Sequence, residues 1–419
     1  MIPGYAGDLL IKSAAVGRHA LIAPPESSQQ LRQYYDSRYY LEICDGAETY
    51  LRTTGAGLQH FRHISLAHIA SAAPLGRALD LGCGRGEFSV HLARAGYEVT
   101  AVDYSEAAIA LASQTLSSAS DPSLILELRC EDVNEFELNG AFDVIVASDF
   151  IEYLSVEEVE RAYSRISRHL ARNGLLLVRS FPNLWLYQYG HAGRRRAARK
   201  LDAYIPTNPR SWHERLLRIN EQSPRSLRKQ LFRHFEHVLL WFAGAQPAQP
   251  WENLSRRLSR AEIRAAGDLY AVASHCRIDP AQILSTCTSE RLPLKDLPAI
   301  DFEVLSVPKF DRGISPVARL RLTNHGKCAL RSCPPFPVHL AYHWLDHKAR
   351  RMVVMDGRRA LLLPQLDAGS TRTYDVLVTP PPAPGQYTLR FTLVQEMVCW
   401  FDAHPPRSSV DIPVTYQPQ

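Results

Sequence analysis

Two kinds of hydrophobic spacing divide this chain. Up to about residue 280, short apolar runs alternate with longer stretches of helical period. Ala78-Leu79-Asp80-Leu81 is the first run, and a helix-like stretch from Phe88 to Ala95 follows and stops at Gly96. Glu98-Val99-Thr100-Ala101-Val102 is the second run and ends in Asp103; Leu124 to Leu128 is the third. Phe142 to Ala147 is almost unbroken in apolar character, as a strand buried on both faces requires. Ser155 and Glu158 form a capping box that predicts a helix running to about Arg172, closed by Asn173-Gly174. Leu175 to Val178 is a fifth strand. Ser223-Pro224 restarts a helix that leads through Leu231 and Phe235 to a strand, His237 to Phe242. Asp268 to Ala273 is the last strand, with an inserted helix, Leu254 to Ala266, before it. Strands alternating with helices predict an α/β fold with a doubly wound parallel sheet.

Past residue 300 the period changes. Alternating runs recur at Phe302 to Val307, Val317 to Thr323, Val338 to Trp344, Thr373 to Thr379, Tyr387 to Val394 and Val410 to Thr415. Asn324-His325-Gly326, Asp356-Gly357 and Pro384-Gly385 supply turns between them. Short strands at regular spacing predict an all-β immunoglobulin-like sandwich over 300–415. Residues 281–299 read as a linker and residues 1–30 as a loose, flexible N-terminal arm. The α/β domain therefore spans 31–280.

The chemistry concentrates where the first strand ends. Asp80 is followed by glycines at 82, 84 and 86, which let the backbone turn sharply and a ligand approach closely. An acidic residue at the tip of the next strand, Asp103, can take two hydroxyls of a ribose. Together these predict a nucleoside-cofactor site on the doubly wound sheet. The dinucleotide fingerprint G-x-G-x-x-G has Glu87 where its third glycine belongs, and no phosphate-cradling Gly-Lys-Ser/Thr follows. Asp80 would repel a pyrophosphate and suit a cofactor bearing an amine and a sulfonium.

The string Leu79-Asp80-Leu81-Gly82-Cys83-Gly84-Arg85-Gly86, with Asp103, resembles the first motif of Rossmann-like methyltransferases that use S-adenosylmethionine (SAM). The resemblance implies a seven-stranded sheet with an antiparallel finish. It implies SAM contacts from Asp80, Gly82, Cys83, Gly84, Gly86, Asp103 and Tyr104, with Asp132 near the adenine amino group and Val133 and Ser148 beside it. Tyr34-Tyr35-Asp36-Ser37-Arg38-Tyr39-Tyr40 resembles the tyrosine-rich segment that lids the cofactor in many relatives, which adds Tyr35. The alternative is that paired tyrosines staple a helix to the sheet.

Methyl transfer to an alcohol needs a general base within hydrogen-bond reach of the hydroxyl. Candidates are Asp149 and Glu152, at the tip of the fourth strand, and His213 beside Glu214. Many relatives carry a histidine where Tyr153 stands, so resemblance does not assign the base. We favour His213.

Residues 181–220 depart from the minimal α/β pattern and carry Trp185, Tyr187, Tyr189, Tyr204, Trp212 and His213 among arginines. An insertion of this length at the ligand edge predicts the acceptor-binding segment; the alternative is a small helical subdomain with ordinary core aromatics. Aromatics stack on sugars and arginines attract anions, so a glycan or carrier-linked sugar is the expected acceptor. From Arg179 to Arg233 there are thirteen Lys or Arg against three acids, Asp202, Glu214 and Glu221. Within an overall charge of only +5, that basic segment predicts an anionic partner: a phosphorylated lipid carrier, a charged glycan, or a membrane surface with its glycosyltransferases. The bland reading is a solvated basic helix. No RNA-stacking signature or zinc knuckle supports nucleic acid.

The segments His343-Trp344-Leu345-Asp346, Gly357-Arg358-Arg359, Ala383-Pro384-Gly385-Gln386-Tyr387 and Val394 to Phe401 resemble an accessory β-sandwich of bacterial surface-polysaccharide synthesis enzymes, with Trp344, Trp400, Tyr342 and Arg358 as candidate sugar contacts; the alternative is a dimerisation or packing module. That resemblance implies O-methylation of a sugar in O-antigen or capsule synthesis. Methylation of a lipid, quinone or small metabolite is the alternative enzyme reading, and a SAM- or glycan-binding adaptor without turnover is the non-enzyme one. Eight scattered cysteines suit reduced thiols in a cytoplasm, possible at the inner-membrane surface, and no secretory leader is evident. Cys328 and Cys333 near His339 and His343 lack metal-ligand spacing, so no metal is expected.

Overall fold

The structure is a computed structural model that describes residues 27–417 apart from 56, 59–60, 134, 136, 244–257 and 311–314. Seven strands form the first sheet: β1 (Arg77–Leu81), β2 (Glu98–Asp103), β3 (Leu126–Cys130), β4 (Phe142–Ser148), β5 (Leu170–Ser180), β6 (His237–Ala243) and β7 (Asp268–Ser274). Their order is β3-β2-β1-β4-β5-β7-β6. The strands from β3 to β5 run parallel, and β7 pairs antiparallel with both β5 and β6. Apolar side chains project from both faces. Val144 and Val146 enter one core with the helices Phe61–Ala70 and Glu87–Ala95, while Ile145 and Ala147 enter the other with Val156–His169. This two-sided burial explains the uninterrupted apolar run of β4.

Two local expectations shift. The third strand lies at Leu126–Cys130, two residues later than its most apolar stretch, because its register is set by pairing with Val99–Asp103. The helix opened by Ser155 ends at His169, and Asn173-Gly174 falls inside β5. Leu170 already pairs with Phe142, so the sheet takes residues that the turn signal assigned to a helix end. The arm expected over 1–30 falls outside the described residues up to 26. Its end is docked: Ser28–Leu31 is a helical turn with Ser28 and Leu31 buried. The inserted helix expected over 254–266 lies partly outside the described residues, and its described part is the helix Arg260–Ala265.

The segment read as a linker opens with a helix, Pro280–Thr286, whose Ile283 joins the first core together with Cys287. Beyond it, nine strands run from β8 (Ile300–Ser306) to β16 (Ser409–Tyr416). They make two antiparallel sheets, one of six strands around β10 (Val338–Asp346) and β14 (Gly385–Gln395). The other has three strands, β8, β9 (Val317–Asn324) and β13 (Thr371–Leu377). Ala318, Leu320, Leu322, Tyr374 and Val376 from the second meet Leu340, Tyr342, Trp344, Leu389 and Phe391 from the first in one shared core.

The two sheets are bolted to the far end of the α/β domain. Arg94 Nη1 donates to Asp375 Oδ2 at 2.7 Å, and Arg319 Nε donates to the other oxygen at 2.7 Å. Arg319 Nη2 also donates to the Ser118 carbonyl at 2.8 Å. Arg94 and Ser118 lie near the C-terminal ends of helices that begin at the carboxyl ends of β1 and β2. The contact therefore sits at the opposite end of the sheet from the glycine turn. Cys333 packs against the buried His68 ring at 3.4 Å, also at this interface. Burial, with Arg331, pushes His68 down to about 4, so it is a neutral packing group at physiological pH.

The Asp375 side chain is only 2% exposed and serves both guanidinium groups. Removing it takes the paired carboxylate from two largely buried arginines, which costs up to about 3–5 kcal/mol. Asp375→Ala is expected to lower the thermal unfolding midpoint clearly. An unchanged midpoint in calorimetry would contradict a role for this ion pair in holding the parts together.

Candidate active site

A cavity of about 990 Å³ opens along the carboxyl ends of β1, β2, β4 and β5. The chain has no choice about its shape at the first turn. Gly86 has φ +74°, and a Cβ there would come within 2.8 Å of Ala112 on the helix Glu106–Ala119. Gly82, at φ +68°, would push a Cβ to 2.8 Å from the Phe150 ring. The turn thus lies tight against its surroundings and leaves the backbone of Gly82, Cys83 and Gly84 on the cavity wall. Gly86 shapes the turn from outside the wall.

Two buried carboxylates flank that turn. Asp80 accepts from Ser89 Oγ at 2.6 Å, and Asp103 accepts from the Gly84 and Ser105 backbone amides at 3.0 and 2.9 Å. Burial outweighs these hydrogen bonds and pushes both up to about 6. Both line the cavity, with Tyr104, Asp132, Val133 and Ser148. The Tyr35 hydroxyl and Ser148 Oγ are buried with no hydrogen-bond partner in the structure. Both residues line the cavity, although these two atoms are themselves turned out of contact with its open space. Cationic and hydroxyl-rich groups fit this end, as SAM requires.

The tyrosine-rich segment covers this end. Tyr35 packs edge-on against Tyr39 and Tyr153, with centroids 4.8 and 5.9 Å away. Three fastenings hold the cover down. Ser28 donates through its amide and hydroxyl to Glu158, the same carboxylate that completes the capping box. Ser105 Oγ donates to the Tyr35 carbonyl at 2.6 Å. Arg85, inside the glycine turn, donates to the Tyr40 and Asp45 carbonyls, each at 2.9 Å. The sequence singled out Arg85 only as part of the motif; its fastening role is visible only in three dimensions.

Residues 181–220 wall the other end. Phe181, Tyr187, Tyr204, His213, Glu214 and Arg218 all line the cavity. The helix Trp212–Leu217 opens with a capping box in which Glu214 meets Ser211, and Arg218 pairs with the same Glu214. Glu214 therefore serves the fold rather than the His213 ring. His213 Nε2 lies 3.3 Å from Ser211 Oγ.

The two acidic candidates at the tip of β4 separate. Asp149 lines the cavity with φ +52°, a left-handed conformation that non-glycine residues rarely adopt, and pairs with Arg179. Arg179, at the end of β5, is fully buried and also pairs with Asp268 at the start of β7. In the sequence Arg179 counts only as the first cation of the basic segment; its place as a lone arginine closing the apolar run Leu175 to Val178 is the local signal of a buried one. Glu152 does not reach the cavity wall. It is fully buried, accepts from the Phe181 amide at 3.2 Å, and its second oxygen has no partner. Burial, followed by the nearby Asp149, pushes it up to about 8. Its assignment as a base contacting substrate is corrected: the polypeptide seals it off, and it organises the start of the 181–220 segment.

Other expectations also change. Trp344 and Tyr342 are core residues, each 1% exposed, and cannot stack on a sugar. Trp400 is covered by the Arg359 guanidinium, 4.9 Å from its ring centre, and by the His343 ring at 4.2 Å. No cavity-lining residue comes from β8–β16. No group of three or more His, Cys, Asp or Glu placed to hold a metal occurs among the described residues. No described helix is long and apolar enough to cross a membrane.

Residues 78–174 match the family described as methyltransferase domain. The chain is 39% identical over 110 residues to YqeM of Bacillus subtilis (strain 168), spanning 26% of this chain and 43% of that protein. It is 33% identical over 109 residues to a ubiquinone biosynthesis O-methyltransferase of Bradyrhizobium diazoefficiens, spanning 26% of this chain and 41% of the relative. The chain thus spans less than half the length of the curated relatives it first matches. Among solved structures, the N-methyltransferase NodS of Bradyrhizobium japonicum WM9, bound to S-adenosylhomocysteine, aligns with TM-score 0.37 and 16% identity. That alignment covers 59% of this chain and 98% of NodS.

Glu152 has a consequence for stability. In the unfolded chain its carboxyl ionises near 4.5, whereas in the folded protein it stays protonated to about 8. The folded state binds the extra proton between these values, so stability falls as pH rises through that window. Glu152→Gln keeps a neutral acceptor for the Phe181 amide. It is expected to resist denaturant better than wild type at pH 8, with the advantage vanishing near pH 5. Parallel pH dependence in both proteins would contradict a protonated Glu152.

Proposed function

We propose that this chain is a SAM-dependent methyltransferase acting on a sugar hydroxyl of a glycan or carrier-linked precursor in bacterial surface-polysaccharide synthesis. The observation that carries the methyltransferase reading is the pair of buried acids, Asp80 and Asp103, set on a glycine turn in a covered cavity. The glycan reading has narrower support: the aromatic and basic wall built from residues 181–220. The C-terminal sheets are taken as an immunoglobulin-like accessory sandwich that acts as a packing or docking module, since none of it lines the cavity. Peripheral attachment to the inner membrane or to a glycosyltransferase would use the basic segment 179–233. A second acceptor class, a quinone or small aromatic metabolite, is favoured by the ring-rich cavity wall and by the O-methyltransferase relative named above.

Bound SAM supplies a methyl carbon made electrophilic by its sulfonium. The protein's part is to position and to manage one proton. Asp103 is placed to accept ribose hydroxyls, and Asp80 offers charge to a cationic group. Tyr35, Tyr39 and Tyr40 keep water away from that end. Of the base candidates read from the sequence, His213 is the one left on the cavity wall with neither an ion pair to Arg179 nor a sealed position, because Asp149 is engaged by Arg179 and Glu152 is sealed off. His213→Ala is expected to abolish turnover while leaving SAM binding unchanged; retained turnover would remove His213 from the mechanism.

Asp103→Ala is expected to weaken SAM binding by about 1–3 kcal/mol through lost charged hydrogen bonds. Because both acids titrate near 6, wild-type SAM affinity should fall as pH drops through 6, and calorimetry at pH 5 and 7.5 measures this. Equal affinity at both values would contradict the acidic cradle. Methyl-labelled SAM offered with separated glycan, lipid and small-metabolite fractions tests the acceptor. Base-stable label in glycan, absent with Asp103→Ala, is the expected result; label only in small metabolites or lipid would overturn the glycan reading.

A further inference from the structure

The cavity is electrically divided. Its cofactor end carries Asp80, Asp103, Glu131 and Asp132. Most arginines around it are already neutralised by carboxylates: Arg85 by Glu87, Arg179 by Asp149 and Asp268, Arg210 by Glu221, and Arg218 by Glu214. Arg194 is different. It lines the cavity and has no carboxylate partner among the described residues. Its recorded hydrogen bond is a long one, from Nη2 to the Ala265 carbonyl at 3.5 Å.

Arg194 sits on the helix His191–Arg199, which carries four arginines and no acid. His191 precedes it by three residues, so the two share a face, and both line the cavity. Arg195, on the neighbouring face, has a buried Nε without a hydrogen-bond partner. His191 Nε2 is engaged by the Pro206 carbonyl at 2.9 Å and Arg195 does not line the cavity, so Arg194 is the cation there that no described carboxylate neutralises. Arg194 is exposed at the cavity, so its unpaired charge is available to attract an anion.

We propose that Arg194 forms an anion subsite at the acceptor end of the cavity, and that the acceptor carries a phosphate group beside the atom to be modified. This identification of the acceptor class rests on the methyltransferase reading, whereas the anion site itself does not. Cationic cofactor and anionic acceptor would then occupy opposite ends of one cavity, each against complementary charge. The phosphate could belong to a water-soluble sugar phosphate or to a lipid-linked sugar. The recognition chemistry is the same.

Inorganic pyrophosphate is the direct probe, titrated into the full chain at constant ionic strength and followed by calorimetry. Wild type is expected to bind it at one site; Arg194→Gln should lose about tenfold in affinity, and Arg196→Gln, which is not on the cavity wall, less than about twofold. SAM affinity should be the same in all three proteins, which shows that the variants are folded. No binding by wild type overturns the proposal. Equal losses from Arg194→Gln and Arg196→Gln also overturn it, because they indicate a diffuse basic surface. In methyl-transfer assays, Arg194→Gln should raise the acceptor KM with little change in kcat. Phosphatase treatment of the acceptor fraction should do the same, and organic extraction separates a lipid-linked phosphate from a soluble one. Pyrophosphate binding through Arg194 without label transfer to any fraction would leave the anion site standing and defeat the methyltransferase reading instead.

Discussion

The buried guanidinium of Arg179 ties the site together. It lies at the end of β5, between Asp149 at the tip of β4 and Asp268 at the start of β7. A charge with no exposure to water is tolerable only when its partners are fixed, and fixing them sets the spacing of three strand ends. One consequence is the left-handed backbone of Asp149, which turns the chain after β4 toward the cavity. Another is that the antiparallel β7 begins where the parallel strands finish, so Asp268 reaches the cavity wall as well. The 181–220 segment starts two residues beyond Arg179 and inherits its direction from this anchor.

From that anchor the cavity divides by charge and by origin. The α/β sheet and its tyrosine cover supply the acidic, glycine-lined end. The inserted segment supplies the aromatic and basic end. At their junction, in the proposed reading, a cation held by the sheet would face an acceptor held by the insertion. The C-terminal sheets take no part in the junction. Their ionic contact, Arg94 and Arg319 on Asp375, lies at the far end of the domain from the cavity.

Much of the fold was legible because its signals are local. The apolar runs of β1, β4 and β5, the Ser155–Glu158 capping box and the glycine turn each follow from neighbouring residues. Most cofactor candidates fall on one cavity wall for the same reason, being strand tips at one sheet edge. Misreadings came where distant contacts decide. Asn173-Gly174 reads as a helix end, yet pairing with Phe142 draws that stretch into the sheet. Glu152 looks like a cavity acid, yet the Phe181 amide takes it inward. Trp344 and Tyr342 look like sugar platforms, yet the alternation of β10 turns both into the core between the two sheets. Arg179 reads as one more cation of the basic segment, because nothing local announces that Asp149 and Asp268 converge on it.

The most direct test of this account is a crystal structure of the full chain grown with S-adenosylhomocysteine. The account predicts the nucleoside against the Gly82–Gly84 turn, with its ribose hydroxyls on Asp103 beneath the tyrosine cover. A ligand bound elsewhere, or a cavity left empty at saturating ligand, would contradict it.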